Sequence, residues 1–120
     1  MVERALTGLL GLAMRSGQLM AGSERALEDI RHKRTGLLLL DEAASPNTVK
    51  RLTDACQTHQ VRCLRLPENL LGQSIGKQGA MAATLLPGGL CEKVQAVWDD
   101  QVENKDLNAS GGGRGSNDKG

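Results

Sequence analysis

Residues 17–41 read Gly17-Gln-Leu-Met-Ala-Gly-Ser-Glu-Arg-Ala-Leu-Glu-Asp-Ile-Arg-His-Lys-Arg-Thr-Gly-Leu-Leu-Leu-Leu-Asp41, a short apolar piece, a turn, a helix and a strand. Gly22 allows a tight turn and Ser23 has the side chain of an N-cap. Ala26, Leu27 and Ile30 then form an apolar face at helical spacing, which predicts a helix from about Glu24. Glu24, Arg25 and Glu28 fall early in it, while Arg31, His32, Lys33 and Arg34 close it, in partial agreement with the helix dipole. Polar side chains at such a helix start, beside free backbone N–H groups, can face a ligand. The run Leu37-Leu38-Leu39-Leu40 is apolar on both faces, so it belongs inside a sheet covered on both sides.

The flanking sequence supplies the rest of such a sheet. Leu6, Leu9, Leu10 and Ala13, with Leu12 widening the stripe, predict a first helix over Glu3 to Arg15, and Gln18-Leu19-Met20 a short strand. Ser45-Pro46 is a helix start, an N-cap followed by proline at the first helical position. That helix buries Val49, Leu52 and Cys56 and ends near His59. Val61 to Leu66, interrupted by Arg62 and Arg65, suits a strand nearer an edge. Pro67-Glu68 opens a further helix carried by Leu70, Leu71, Ser74 and Ile75, and Gly76-Lys77-Gln78-Gly79 is a loop. Ala80 to Leu86 is a fourth strand, and Leu90, Val94, Val97 and Trp98 mark a last helix that ends in acids. Helices alternating with strands predict an α/β fold, a three-layer α/β/α sandwich around a mixed sheet of about four strands. The domain is expected over residues 1–103. Residues 104–120, rich in Gly and Ser, read as a flexible tail.

Composition narrows what such a domain can do. The absence of Phe and Tyr, with Trp98 as the one aromatic ring, argues against base-stacking platforms for single strands. The net charge of +1, from 15 basic and 14 acidic residues, announces no global polyanion partner. Arg31, Lys33, Arg34, Lys50, Arg51, Arg62, Arg65 and Lys77 nevertheless all precede position 80, while Asp99, Asp100, Glu103 and Asp106 cluster near the end. Cys56, Cys63 and Cys91 form neither a disulfide framework nor a zinc motif, and suit a reduced, cytoplasmic protein. No apolar run is long enough to span a bilayer, so no membrane partner is expected.

Catalytic constellations are weak. Gly72-Gln-Ser-Ile-Gly76-Lys77-Gln78 approaches a phosphate-binding loop but is one residue short between glycines, carries Gln78 where Ser or Thr should hold magnesium, and ends a helix. Cys56 and His59 lie one helical turn apart, but a core thiol beside a capping histidine explains them. Asp41 and Glu42 follow a strand, where α/β proteins place functional acids, yet no second acid or metal ligand accompanies them. The expectation is a protein that is not an enzyme and needs no cofactor. Recognition remains, with Gly22, the loop Asp41 to Ser45 and the loop Gly76 to Gly79 converging at one end of the sandwich.

In order, Leu10-Gly-Leu-Ala-Met-Arg-Ser-Gly17, Gly22-Ser-Glu, Leu37 to Glu42 followed by Ala-Ala-Ser-Pro-Asn-Thr, Cys56, and Leu71-Gly72-Gln-Ser-Ile75-Gly76-Lys77 resemble the ribosomal protein L-seven-Ae superfamily, in particular its small bacterial YlxQ-type branch. The resemblance runs from Leu6 to Trp98. It implies kink-turn RNA, a bent duplex with tandem sheared G·A pairs, as the partner, and a place near the ribosome among ribosomal or translation-factor proteins. One RNA-binding surface would then be Gly22, Ser23, Glu24, Arg25 and Glu28, and the other Ile75 to Met81, with Lys77, Gln78, Gly79 and Ala80 at its centre. The family's Asn, Glu and Lys correspond here to Glu24, Arg25 and Glu28. Arg25 is accordingly expected to supply the donor for guanine O6 and N7, with Glu28 orienting it from one turn later. The acids at Glu24 and Glu28 also fit a second reading, a protein-interaction module that kept the scaffold and lost the RNA surface. A monomer is expected in either case.

Overall fold

The computed structural model describes residues 2–110, with side chains from Arg4 to Asp100. The chain alternates α1 (Val2–Arg15), β1 (Leu19–Ala21), α2 (Ser23–Arg31), β2 (Leu37–Asp41), α3 (Pro46–His59), β3 (Arg62–Leu66), α4 (Leu70–Ile75), β4 (Ala82–Leu85) and α5 (Gly89–Ser110). The strand order is β1-β4-β2-β3, with β2 parallel to β3 and antiparallel to β4, and β1 antiparallel to β4. The leucine run therefore occupies an interior strand, as its two apolar faces require, and the Arg-interrupted strand lies at an edge.

Because side chains alternate across a strand, β2 feeds two cores. Leu37 and Leu39 join Leu6, Leu10, Leu64, Leu66, Leu71 and Val94 under α1, α4 and α5. Leu38 and Leu40 join Ala26, Leu27, Ile30, Leu52 and Cys56 under α2 and α3. This is the three-layer α/β/α sandwich expected from the alternation of elements. Trp98 packs half-buried against the first core. Arg62 on the β3 edge grips Asp99 of α5 with both terminal nitrogens, which fastens the last helix to the sheet.

Several local expectations are corrected. Leu12 does not widen the buried stripe of α1 but stands 44% exposed, since α4 and α5 cover only the Leu6, Leu10 and Ala13 side. The fourth helix starts at Leu70 and not at Pro67-Glu68, because Asp41 Oδ2 captures the Asn69 N–H at 2.9 Å and holds that residue in a left-handed turn (φ 72). The fourth strand is shorter than Ala80 to Leu86, since the Ala80 N–H is used in a turn to Lys77 O at 3.1 Å. The last helix continues to Ser110, so residues 104–110 of the expected tail are helical, and residues 111–120 lie outside the described residues.

Candidate nucleic-acid interface

The sheet topology places four connections at one end. β1 and β2 both run antiparallel to β4, so the ends of β1 and β2 lie beside the start of β4. The contact is direct, with the Gly22 N–H donating to Ala82 O at 2.9 Å and the Asp41 N–H donating to Met81 O at 2.8 Å. The start of α2 and the glycine loop before β4 are therefore neighbours through β4, and the end of β3 joins them through the Glu42 N–H to Leu66 O bond at 2.9 Å.

At the α2 start the N-cap is Gly22 and not Ser23, and no side chain caps the helix. Its backbone (φ 121, ψ 137) is a conformation that only glycine adopts at low cost. The first turn consequently keeps N–H groups without a side-chain acceptor. Glu24 is exposed and ion-paired across to Arg51 of α3 at 3.1 Å. Glu28 is also exposed, but it does not orient Arg25. Arg25 Nε donates instead to both carboxylate oxygens of Asp29, each at 3.2 Å, one full turn on. A shallow hollow of about 400 Å³ lies along Glu24, Arg25, Leu27, Glu28, Arg31 and Arg51.

The second expected surface divides. Ile75 is buried in the core, and Ala80 and Met81 are half-buried, whereas Lys77, Gln78 and Gly79 are exposed. The loop folds tightly back on α4, with the Lys77 N–H donating to Gly72 O at 3.1 Å. A β-carbon at Gly72 would sit 2.9 Å from Lys77 O and 3.4 Å from Gly79 N, so the loop can lie there only because position 72 is glycine. A second hollow of about 400 Å³ is lined by Asn69, Gly72, Gln73, Gly76, Gln78 and Gly79.

The acids and thiols have structural explanations. Asp41 is fully buried and accepts from the Ala43 N–H at 2.7 Å and the Asn69 N–H at 2.9 Å, joining two turns at the site end. Burial pushes the Cys56 thiol up to about 12, so it is no nucleophile for His59 to activate. Sequence reasoning missed Asp29, which is buried and also accepts from Arg34 Nε at 3.2 Å and Thr84 Oγ1 at 3.1 Å. Burial raises its pKa, but hydrogen bonds from Arg25, Thr84 and Arg34 outweigh that and leave it below the usual value. The available signal was an Asp on the apolar side of α2, one position before Ile30, with arginines four before and five after it.

Residues 4–94 match the ribosomal protein L7Ae/L30e/S12e/Gadd45 family. A Bacillus subtilis protein named RNA-binding protein YlxQ is 35% identical over 92 residues, which cover 76% of this chain and 92% of the relative. An Enterococcus faecium protein of the same name is 39% identical over 70 residues, 58% of this chain and 68% of the relative. Among solved structures, a Bacillus halodurans protein of unknown function superposes with a TM-score of 0.74 at 29% identity, covering 78% of this chain and 96% of that one. A Giardia lamblia 15.5kD RNA binding protein superposes with a TM-score of 0.68 at 20% identity, over 86% of this chain and 88% of that one, a likeness of fold.

Proposed function

The chain belongs to the ribosomal protein L7Ae/L30e/S12e/Gadd45 family, and on that premise we propose that it is a non-enzymatic RNA-binding protein that receives kink-turn-like structured RNA at the α2 start and the loop before β4. The observation that supports this most is the Gly22–Ala82 hydrogen bond, which makes the two family surfaces a single face. On that face Arg25 offers its terminal nitrogens, a fork that fits guanine O6 and N7. Lys77, Gln78 and the Gly79 backbone supply donors for phosphate oxygens. The exposed acids Glu24 and Glu28 limit non-specific attraction to a duplex, so recognition rests on shape and on few donors rather than on a basic field. We further place the protein in the cytoplasm, as a monomer working with the ribosome or translation factors. Its three free cysteines suit a reducing compartment.

A fluorescence titration with a kink-turn RNA, an unkinked duplex and a salt series tests the reading. Specific binding of the kinked RNA with a steep negative salt slope is the expected result. Arg25→Ala should cost about 1–3 kcal/mol and relax discrimination at one guanine. Equal and weak binding of both RNAs would favour the protein-interaction reading, to which the Glu24–Arg51 pair would then contribute a surface.

A further inference from the structure

We infer that the buried carboxylate of Asp29 is a positioning group that sets Arg25 and Arg34 side by side as a paired clamp on RNA, and that Arg34 is a phosphate contact lying outside the α2 start and the glycine loop. This rests on the RNA-binding reading and extends it down the length of α2.

The way α2 ends is what brings Arg34 into place. Lys33 adopts a left-handed conformation (φ 56), its N–H donates to Ile30 O at 3.1 Å, and the Arg34 N–H donates to Asp29 O at 2.8 Å. These are the two bonds of a Schellman termination, and they reverse the chain at the helix end. Arg34 is thereby folded back over the turn that carries Asp29. Its Nε and Nη2 then reach Asp29 Oδ1 at 3.2 and 3.1 Å. From the other side Arg25 Nε spans both carboxylate oxygens at 3.2 Å, and from beneath Thr84 of β4 donates at 3.1 Å.

The exposure of the partners is unequal in an informative way. The Asp29 side chain is 4% exposed, while those of Arg25 and Arg34 are 52% and 51% exposed. One carboxylate has been buried, at a desolvation cost, between two cations that stay half in water. A pair serving the fold alone could be replaced by apolar packing at little loss. The arrangement leaves Arg25 Nη1 and Nη2 and Arg34 Nη1 with no partner among the described residues. Two guanidinium groups fixed on one anion carry a net charge of +1, and their rotamers are set before any ligand arrives. Guanidinium forks of this kind match phosphate oxygens and base edges. Asp29 lies six residues beyond Ser23, about 9 Å along the helix axis. The clamp therefore meets the RNA backbone farther along than the helix start does.

Titrating the full chain with the kink-turn RNA and its unkinked control, across a salt series, decides the matter. Arg34→Ala should weaken both RNAs by the same factor and reduce the steepness of the log–log salt dependence by about 1, the signature of a lost phosphate contact. Asp29→Asn removes a negative charge, so charge counting alone predicts tighter binding to RNA. Positioning predicts the opposite: kink-turn affinity about tenfold weaker, toward the low end of one well-placed base contact. It also predicts that Arg25→Ala becomes nearly silent in that background. Thr84→Val leaves the Asp29 charge in place and removes one of the bonds that fix it, so charge counting predicts unchanged binding and positioning predicts a loss smaller than that of Asp29→Asn. If Asp29→Asn does not fold, Thr84→Val tests the positioning and the exposed Arg34 variant tests the phosphate contact. Unchanged affinity and unchanged salt slope in Arg34→Ala, or tighter binding by Asp29→Asn, would overturn the clamp while leaving the family reading intact. Failure of the wild-type chain to bind either RNA would overturn both.

Discussion

Helices α2 and α3 lie side by side on one face of the sheet and begin at the same end of it, but their first turns are built on opposite principles. α3 satisfies itself. Ser45 in an extended conformation accepts the Thr48 N–H on its hydroxyl at 3.2 Å, and Pro46 fills the first helical position. α2 starts from Gly22 with no side-chain cap and from a backbone angle that excludes an ordinary capping residue. That end of the sheet presents the starts of α2, α3 and α4, of which only α3 is closed by a side chain; α4 starts from Asn69 (φ 72), likewise without a side-chain cap. The capping rule is obeyed at α3 and broken at α2 and α4, whose starts share the end that carries the glycine loop, and such breaks point to function there.

The largest effect is expected from forcing α2 to resemble α3. By capping preference Gly22→Ser should stabilise the helix by roughly a few tenths of a kcal/mol. At φ 121 and ψ 137, a β-carbon should instead cost about 2–3 kcal/mol. Thermal or urea unfolding reads the sign directly. A stabilised Gly22→Ser variant would mean that the open start is not imposed by the turn.

Next comes acid. Asp29 has a folded pKa below its ordinary 3.8, so its contribution is complete above that value and is lost as pH falls through the lower folded value. Melting followed from about pH 6 to about pH 2 should show wild type losing more stability than Asp29→Asn. Asp99, held below its ordinary value first by the hydrogen bond from Arg62, contributes to the same acid loss, but its exposed pair is worth little. A parallel decline in both proteins would show that the α2 carboxylate is not held ionised by its partners. Smaller again is Ser45→Ala, which should cost about 1 kcal/mol of stability and leave RNA affinity untouched, because the Ser45 hydroxyl is already engaged with the Thr48 N–H.

The sequence-based readings of α2 and α3 succeeded and failed along the same division. Ser45-Pro46, the leucine run of β2 and the edge character of β3 follow from patterns within a few neighbouring residues, and each is found where the pattern predicts. Gly22 and Ser23 are both acceptable caps by residue type, and only the strand pairing that ties Gly22 to Ala82 decides between them. Glu28 was the natural partner for Arg25 by spacing alone. Asp29 displaces it because Thr84, 55 positions away, and the folded-back Arg34 make the buried side of α2 the polar one at that point. The start of α4 likewise depends on Asp41, 28 positions from Asn69. What escaped the sequence is the set of contacts that cross between elements, and at the site end those contacts predominate.

The smallest expected effect concerns the other ends of the two helices. α2 is followed by Lys33 (φ 56) and α3 by Gln60 (φ 58), both left-handed without being glycine. In each the next residue bonds five back, Arg34 N–H to Asp29 O at 2.8 Å and Val61 N–H to Cys56 O at 2.9 Å, whereas the Lys33 N–H reaches three back to Ile30 O and the Gln60 N–H four back to Cys56 O. Lys33→Gly and Gln60→Gly should therefore each stabilise by a similar amount, about 0.5 kcal/mol, the relief of left-handed strain less the added freedom of the unfolded chain. Equal gains in urea midpoint would localise the asymmetry of the two helices to their starts. A gain at Gln60 but a loss at Lys33 would mean that the Lys33 side chain makes stabilising contacts that outweigh its left-handed strain, as the Gln60 side chain does not.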